Sequence, residues 1–218
     1  MSYLPDFQYD VFISYAHIDN SVRNQNDKGW VTQFYNELVF WITQRIGRSD
    51  KFKIWWDEKL SDNHVFTNEI KDAIKNSALL ITFSSNAYYE SQYCIDELKW
   101  FYENTAKGKP GLSINNMYRI YNIRLNNIDN VKWPKECQGT TGYEMFSIAN
   151  GDRGSLGFPV TPGAKQFTKS IQRLADDIYK LLMEMRKQAE AVKAVVMPAQ
   201  ASSQLRPKVF LQKLPTRF

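Results

Sequence analysis

The sequence predicts an α/β domain built on a mostly parallel sheet covered by helices on both faces. Two observations carry this: short apolar runs rich in β-formers alternate with segments of helical period, and the most apolar run, ALLITFS (Ala78 to Ser84), has the continuous character of a strand buried on both faces. YDVFISYA, Tyr9 to Ala16, is the first such run and reads as a buried strand followed by a polar loop from His17 to Lys28. Trp30, Phe34, Leu38, Trp41, Ile42 and Ile46 then recur at helical intervals. FKIWWD, Phe52 to Asp57, reads as the second strand, with EKLSDNH as the loop that leaves it. From Val65 to Ser77, Phe66, Ile70, Ala73 and Ile74 share one helical face, and ALLITFS follows as a central strand. ESQYCIDELKWF, Glu90 to Phe101, continues as a helix, and RIYNIRL, Arg119 to Leu125, returns to strand.

This β-α-β-α-β-α-β order implies right-handed crossovers, and in such sheets ligands bind beside the carboxyl ends of the strands. Three loops are singled out: those after Ser14, after Asp57 and after Ser84. Lys132 to Gly163 holds six Gly and three Pro, which predicts loops with one short strand near Tyr143 to Ile148. From Ala164 onward Phe167, Ile171, Leu174, Ile178, Leu181, Leu182 and Met185 share a face, the pattern of a helix that closes the domain. MPAQASSQLRP, Met197 to Pro207, has linker composition, and KVFLQKL after it is strand-like. Two readings of this end stand: the start of a further domain near Pro207, or a flexible tail.

Composition narrows the function classes. A chain of 218 residues holds one domain of ordinary size with a remainder, and 43% hydrophobic residues with 14% aromatic supply a core. No run approaches the roughly 18 apolar residues of a membrane span, and the start, MSYLPDFQYD, has neither a basic flank nor an apolar core of a signal peptide, so the cytoplasm is the expected home. Cys94 and Cys137 form no CxxC, and His17 and His64 stand isolated, so neither a disulfide framework nor a metal site is expected. The net charge of +5 belongs to the tail: residues 1–185 carry 21 basic against 22 acidic side chains, and residues 186–218 carry 7 against 1. The main domain thus lacks the basic footprint of a nucleic-acid binder. Neither GxGxxG nor GxxxxGK[ST] occurs, which leaves a Rossmann or P-loop nucleotide site unsupported.

ESQYCIDELKWF concentrates the candidate chemistry. At about 100° per residue, Cys94, Ile95, Leu98, Phe101 and Tyr102 fall in one apolar sector and Asp96 lies opposite it. Glu97 sits at the edge of the buried stripe, on the side of Tyr93 and Trp100, a carboxylate between aromatics. Ser91 fits an N-cap, and Glu90 ahead of it complements the positive helix end. Cys94 in the apolar stripe reads as core, with no histidine placed to activate it. A carboxylate at the ligand end of such a sheet can stabilise an oxocarbenium ion as a glycosidic bond breaks. The competing reading is a boundary residue in a surface ion pair.

YDVFISYA, WWDEKLSDNHVFTNEIKDAI and ALLITFSSNAYYESQYCIDEL, in that order, resemble the Toll/interleukin-1 receptor (TIR) domain, especially its bacterial NAD-cleaving forms, over roughly residues 6–185. The resemblance implies a flavodoxin-like three-layer sandwich with a central five-stranded parallel sheet. Beyond the span of the resemblance, residues 186–207 are expected as a helix extension and linker, and residues 208–218 as the start of a further domain or a flexible tail. The resemblance implies cleavage of NAD+, as substrate rather than cofactor, to nicotinamide and ADP-ribose or a cyclic form. The family's catalytic glutamate lies in an S-x-x-C-x-x-E motif that matches Ser91, Cys94 and Glu97 here, and the aromatic four residues earlier matches Tyr93. Family positions lining the nucleotide match Tyr15, Ala16, Asp57, Leu60 and Phe66. Two departures stand out: Ala16 and His17 occupy positions often basic, and Tyr93 replaces a usual Trp. The resemblance also implies self-association through the exposed BB loop, here about Glu58 to Val65, and a C-terminal sensor domain as partner in antiphage defence. A non-catalytic TIR–TIR scaffold, or a transferase using another nucleotide, is the alternative on the same fold.

Overall fold

The computed structural model describes residues 1–22, 24, 26–56, 67–108, 110–148 and 155–202. Its contacts divide the chain into Met1–Met185 and Arg186–Phe218. In the first unit, β1 (Tyr9–Ser14), β2 (Ile54–Trp55), β3 (Ser77–Ser84), β6 (Ile120–Arg124) and β7 (Tyr143–Glu144) form one sheet in the order β2-β1-β3-β6-β7. Every neighbouring pair is parallel. Counting only these five, the order is the 2-1-3-4-5 of flavodoxin-like sheets, with the switch point between β1 and β3.

Alternation along each strand sorts the core into two layers. Val11 and Ile13 of β1, Leu79, Ile81 and Phe83 of β3, and Tyr121 and Ile123 of β6 pack with Phe34, Leu38 and Ile42 of α1 (Trp30–Ile46) and with Phe167, Ile171, Leu174 and Ile178 of α5 (Lys165–Ser202). Phe12, Leu80 and Ile120 point the other way, onto Ala73 and Ile74 of α2 (Thr67–Lys75) and Leu98 and Phe101 of α4 (Gln92–Lys107). All eight residues of β3 are buried, which is why its sequence is made of apolar and small residues and carries no charge. A central sheet between two helical layers is the expected architecture.

The boundaries differ from the sequence reading where pairing is partial. Of the expected strand's described residues, 52–56, β2 keeps only Ile54 and Trp55, because it is an edge strand that meets β1 in the register Val11 to Ile54 and Phe12 to Trp55. The ring of Trp55 stacks on Phe12 at 4.4 Å. The strand expected over Tyr143 to Ile148 is split: Tyr143 and Glu144 join the sheet, Met145 is fully buried, and β8 (Phe146–Ser147) turns to pair antiparallel with β9 (Phe158–Pro159). Gly157 serves that ribbon at φ +68°, where a Cβ would stand 2.8 Å from the Ser147 carbonyl oxygen.

Ahead of β6, β4 (Ser113–Ile114) and β5 (Met117–Tyr118) form a small hairpin turning through Asn115 and Asn116, both at positive φ. A short helix not anticipated from periodicity, α3 (Asn86–Glu90), precedes α4, with Ser85 as its N-cap. α5 continues to Ser202, past Met197, where composition predicted a linker. In the second unit, Arg186 donates to Glu190 at 2.9 Å within that helix. Residues 203–218, and with them the reading of a further domain or tail, lie outside the described residues. Among the described residues no helix is long and apolar enough to cross a membrane.

Candidate functional site

The carboxyl ends of β1 and β3, side by side at the switch point, bring together the polar groups that the apolar strands carry at their tips. Ser14 ends β1 and Ser84 ends β3, each 2% exposed or less. Beyond Ser14 the chain turns through a 3-10 segment, His17–Asn20, and beyond Ser84 it enters α3. Ser85 caps α3 by accepting the Tyr88 backbone N–H at 3.0 Å, and it donates its own hydroxyl to Asp19 Oδ2 at 2.6 Å. One serine thus fastens the loop after β1 to the loop after β3.

Glu97 enters this cluster from α4. Ser91 caps that helix, accepting the Cys94 backbone N–H at 3.4 Å, as the sequence predicts. Cys94 is buried at 4% exposure, which fixes the rotation of the first turns and leaves Glu97 half-buried above the end of β1. There Ser14 Oγ donates to Glu97 Oε2 at 2.6 Å. Ser14 Oγ also lies 2.9 Å from the Tyr88 hydroxyl, whose oxygen stands 3.1 Å from the Cys94 carbonyl oxygen. Asp96 lies away from this cluster and accepts from Gln92 on its own helix, and Glu90 is exposed.

Burial governs the titration of the neighbours. It pushes the Asp19 carboxyl up to about 6, against the pull of the Ser85 hydrogen bond. It pushes the Cys94 thiol up to about 12, so this cysteine is a packing residue rather than a thiolate nucleophile. The Cys137 thiol, also buried, rises to about 12. The phenol of Tyr88 is held well above the tyrosine range by its burial.

The other sequence candidates are distributed unevenly. Tyr15 and Ala16 follow Ser14 directly and are buried at 8% and 6% exposure. The Tyr15 ring is tilted against His17 at 5.6 Å and Trp56 at 6.3 Å. Tyr93 does not enclose Glu97: it is 78% exposed. Trp100 carries Lys71 Nζ over its ring at 4.4 Å. The expectation of a carboxylate between aromatics is therefore corrected, because the buried stripe of α4 turns Glu97 toward the serine of β1 while Tyr93 faces solvent. Asp57, Leu60, Phe66 and the loop from Glu58 to Val65 lie outside the described residues.

Sequence reasoning missed Ser14, Ser85, Tyr88 and Asp19. The available signal was a hydroxyl at the carboxyl end of each of two apolar strands, polar groups that must find partners once buried. A cavity of about 350 Å³ opens elsewhere, between β6 and the segment 139–142, with Asn122, Thr140 and Asp177 on its walls. Its carboxylate, Asp177, accepts from the Tyr143 hydroxyl at 2.8 Å. Among the described residues no group of three or more His, Cys, Asp or Glu side chains is placed to hold a metal ion.

Residues 11–115 match the family model described as TIR domain. Among solved structures, the chain is similar to the TIR domains in a structure of the activated Roq1 resistosome directly recognizing the pathogen effector XopQ, at 16% identity and a TM-score of 0.39, covering 84% of this chain and 99% of that one. No curated protein matches the chain.

Proposed function

Residues 11–115 belong to the TIR domain family, and from that premise we propose that the chain is an NAD+ glycohydrolase with Glu97 as its catalytic carboxylate. The observation that carries the proposal is the bond from Ser14 Oγ to Glu97 Oε2 at 2.6 Å, at the carboxyl ends of the strands beside the switch point. A half-buried carboxylate oriented by a buried hydroxyl suits the task of stabilising positive charge at the ribose anomeric carbon while the bond to nicotinamide breaks. Nicotinamide leaves with the bonding electron pair, which neutralises its ring nitrogen. Water, or the adenine of the same molecule, then adds to the anomeric carbon and releases one proton, giving ADP-ribose or a cyclic form.

In this reading the exposed ring of Tyr93, together with Phe66, packs on the flat rings of the substrate. Tyr15, Ala16, Asp57 and Leu60, from the loops after the first two strands, hold ribose and phosphates. The chain acts as a cytoplasmic effector of antiphage defence and is activated by oligomerisation, with the loop from Glu58 to Val65 of one copy completing the site of the next. A C-terminal sensor domain is the partner that would drive that assembly.

The test is release of nicotinamide from NAD+ by protein clustered on a surface, wild type against Glu97→Ala. Release by the wild type and its loss in the variant support the enzyme. Silence from a demonstrably assembled wild type returns the chain to the scaffold reading.

A further inference from the structure

Two hydroxyls follow one another behind Glu97. Ser14 Oγ stands 2.6 Å from Glu97 Oε2 and 2.9 Å from the Tyr88 hydroxyl, and in the second contact either oxygen can donate. The Tyr88 hydroxyl stands 3.1 Å from the Cys94 carbonyl oxygen. Ser14 and Tyr88 are each 1% exposed, so bulk water does not replace a missing partner and the number of protons decides what can bond to what. Tyr88 is also pinned at its backbone, whose N–H donates to the Ser85 cap at 3.0 Å.

Each hydroxyl has one proton and stands between two partners. With Glu97 ionised, the chain runs toward it: Tyr88 donates to Ser14, and Ser14 donates to the carboxylate. With Glu97 protonated, the chain reverses: Glu97 donates to Ser14, Ser14 to Tyr88, and Tyr88 to the Cys94 carbonyl. The two arrangements differ by the single proton on Glu97, and the hydroxyl protons only rotate. Neither arrangement leaves a buried hydroxyl without a partner, which an isolated serine behind the carboxylate could not achieve.

We propose that Ser14 and Tyr88 are positioning residues forming a reversible two-hydroxyl relay, which holds Glu97 in one place in both charge states and lets it accept the proton released as water adds to the substrate. This rests on Glu97 being the catalytic carboxylate of the proposed reaction. Tyr88 acts only through Ser14, so the two residues are coupled rather than independent. Burial keeps the Tyr88 phenol from ionising, so its proton is present at either setting of the relay.

The test follows the Glu97 side-chain carboxyl by carbon NMR across a pH titration, assigned with Glu97→Gln, in the wild-type chain, Ser14→Ala, Tyr88→Phe and the double variant. Ser14→Ala removes a donor to the ionised form, and the Glu97 midpoint is expected to rise by roughly one pH unit or more, the equivalent of one charge-assisted hydrogen bond. Tyr88→Phe is expected to raise it by less, and the double variant to match Ser14→Ala alone. An unmoved midpoint in Ser14→Ala overturns the relay, and this variant decides the matter even if Tyr88→Phe proves unstable. Full additivity in the double variant also overturns it. In an assembled, active protein the acidic limb of the pH profile of kcat is expected to move with the same midpoints, with KM little changed. If the titrations behave as described while the assembled wild type releases no nicotinamide, the relay stands and the glycohydrolase reading falls.

Discussion

Replacing Asp19 with asparagine is expected to flatten the dependence of stability on pH across the mildly acidic range. Asp19 leaves β1 in the 3-10 turn and accepts the Ser85 hydroxyl at 2.6 Å, and burial raises its carboxyl from 3.8 to about 6. Because the folded value lies above the unfolded one, the folded state binds the proton more tightly. The stabilisation is therefore fully present below the unfolded value of 3.8 and is lost as pH rises through about 6. At about 1.4 kcal/mol for each tenfold change in proton affinity, that window corresponds to roughly 3 kcal/mol. Asparagine keeps an oxygen for the Ser85 hydroxyl and carries no charge to desolvate. The variant should match the parent near the acid end and exceed its stability by up to about 3 kcal/mol at neutral pH. Asp10 titrates in the same sense, raised by burial against backbone hydrogen bonds from Tyr3, Lys53 and Leu4, and it cancels in the difference between the two proteins. Urea denaturation of both proteins at pH values from about 4 to about 8 measures this difference directly. A difference that stays constant across the series would refute the assignment of the pH dependence to Asp19.

Two further outcomes follow from the same cluster. Ser85→Ala removes the cap of α3 and the donor to Asp19 together, so its denaturation midpoint should fall by the equivalent of about 1–2 kcal/mol, while Ser85→Thr should keep most of the loss from appearing. Cys94 and Cys137, buried with thiols near 12, should resist iodoacetamide in the native protein at neutral pH and react on unfolding, as read by intact-protein mass.

What was legible in the sequence follows from how each element is buried. β3 is covered on both faces, so every residue is apolar or small and the run announces itself; α1 and α5 each bury one face and show the helical period. β2 is half-buried at the sheet edge, and its aromatic residues overstate the pairing that two register contacts sustain. α3 has five residues, too few for a period, and is visible only through its cap, Ser85. The S-x-x-C-x-x-E pattern, recognised by resemblance, acquires a physical reading: Ser91 caps the helix, Cys94 anchors it in the core, and Glu97 is carried to the strand end. The helical wheel placed Glu97 at the border of the buried stripe but could not show what lay across from it. Its partner, Ser14, is 83 positions away, and no local pattern spans that distance. The same wheel put Tyr93 on the side of Glu97 but could not show that its ring stands 78% exposed.

The most direct measurement is the initial rate of nicotinamide release at saturating NAD+ by the clustered chain, wild type against Glu97→Gln, with clustering verified for both by light scattering. Glutamine keeps the volume of the side chain and a group for the Ser14 hydroxyl to meet, and removes only the charge. The account predicts a wild-type rate that falls by at least about 100-fold in the variant, the scale on which loss of an electrostatic stabiliser acts. A variant that keeps the wild-type rate would contradict it.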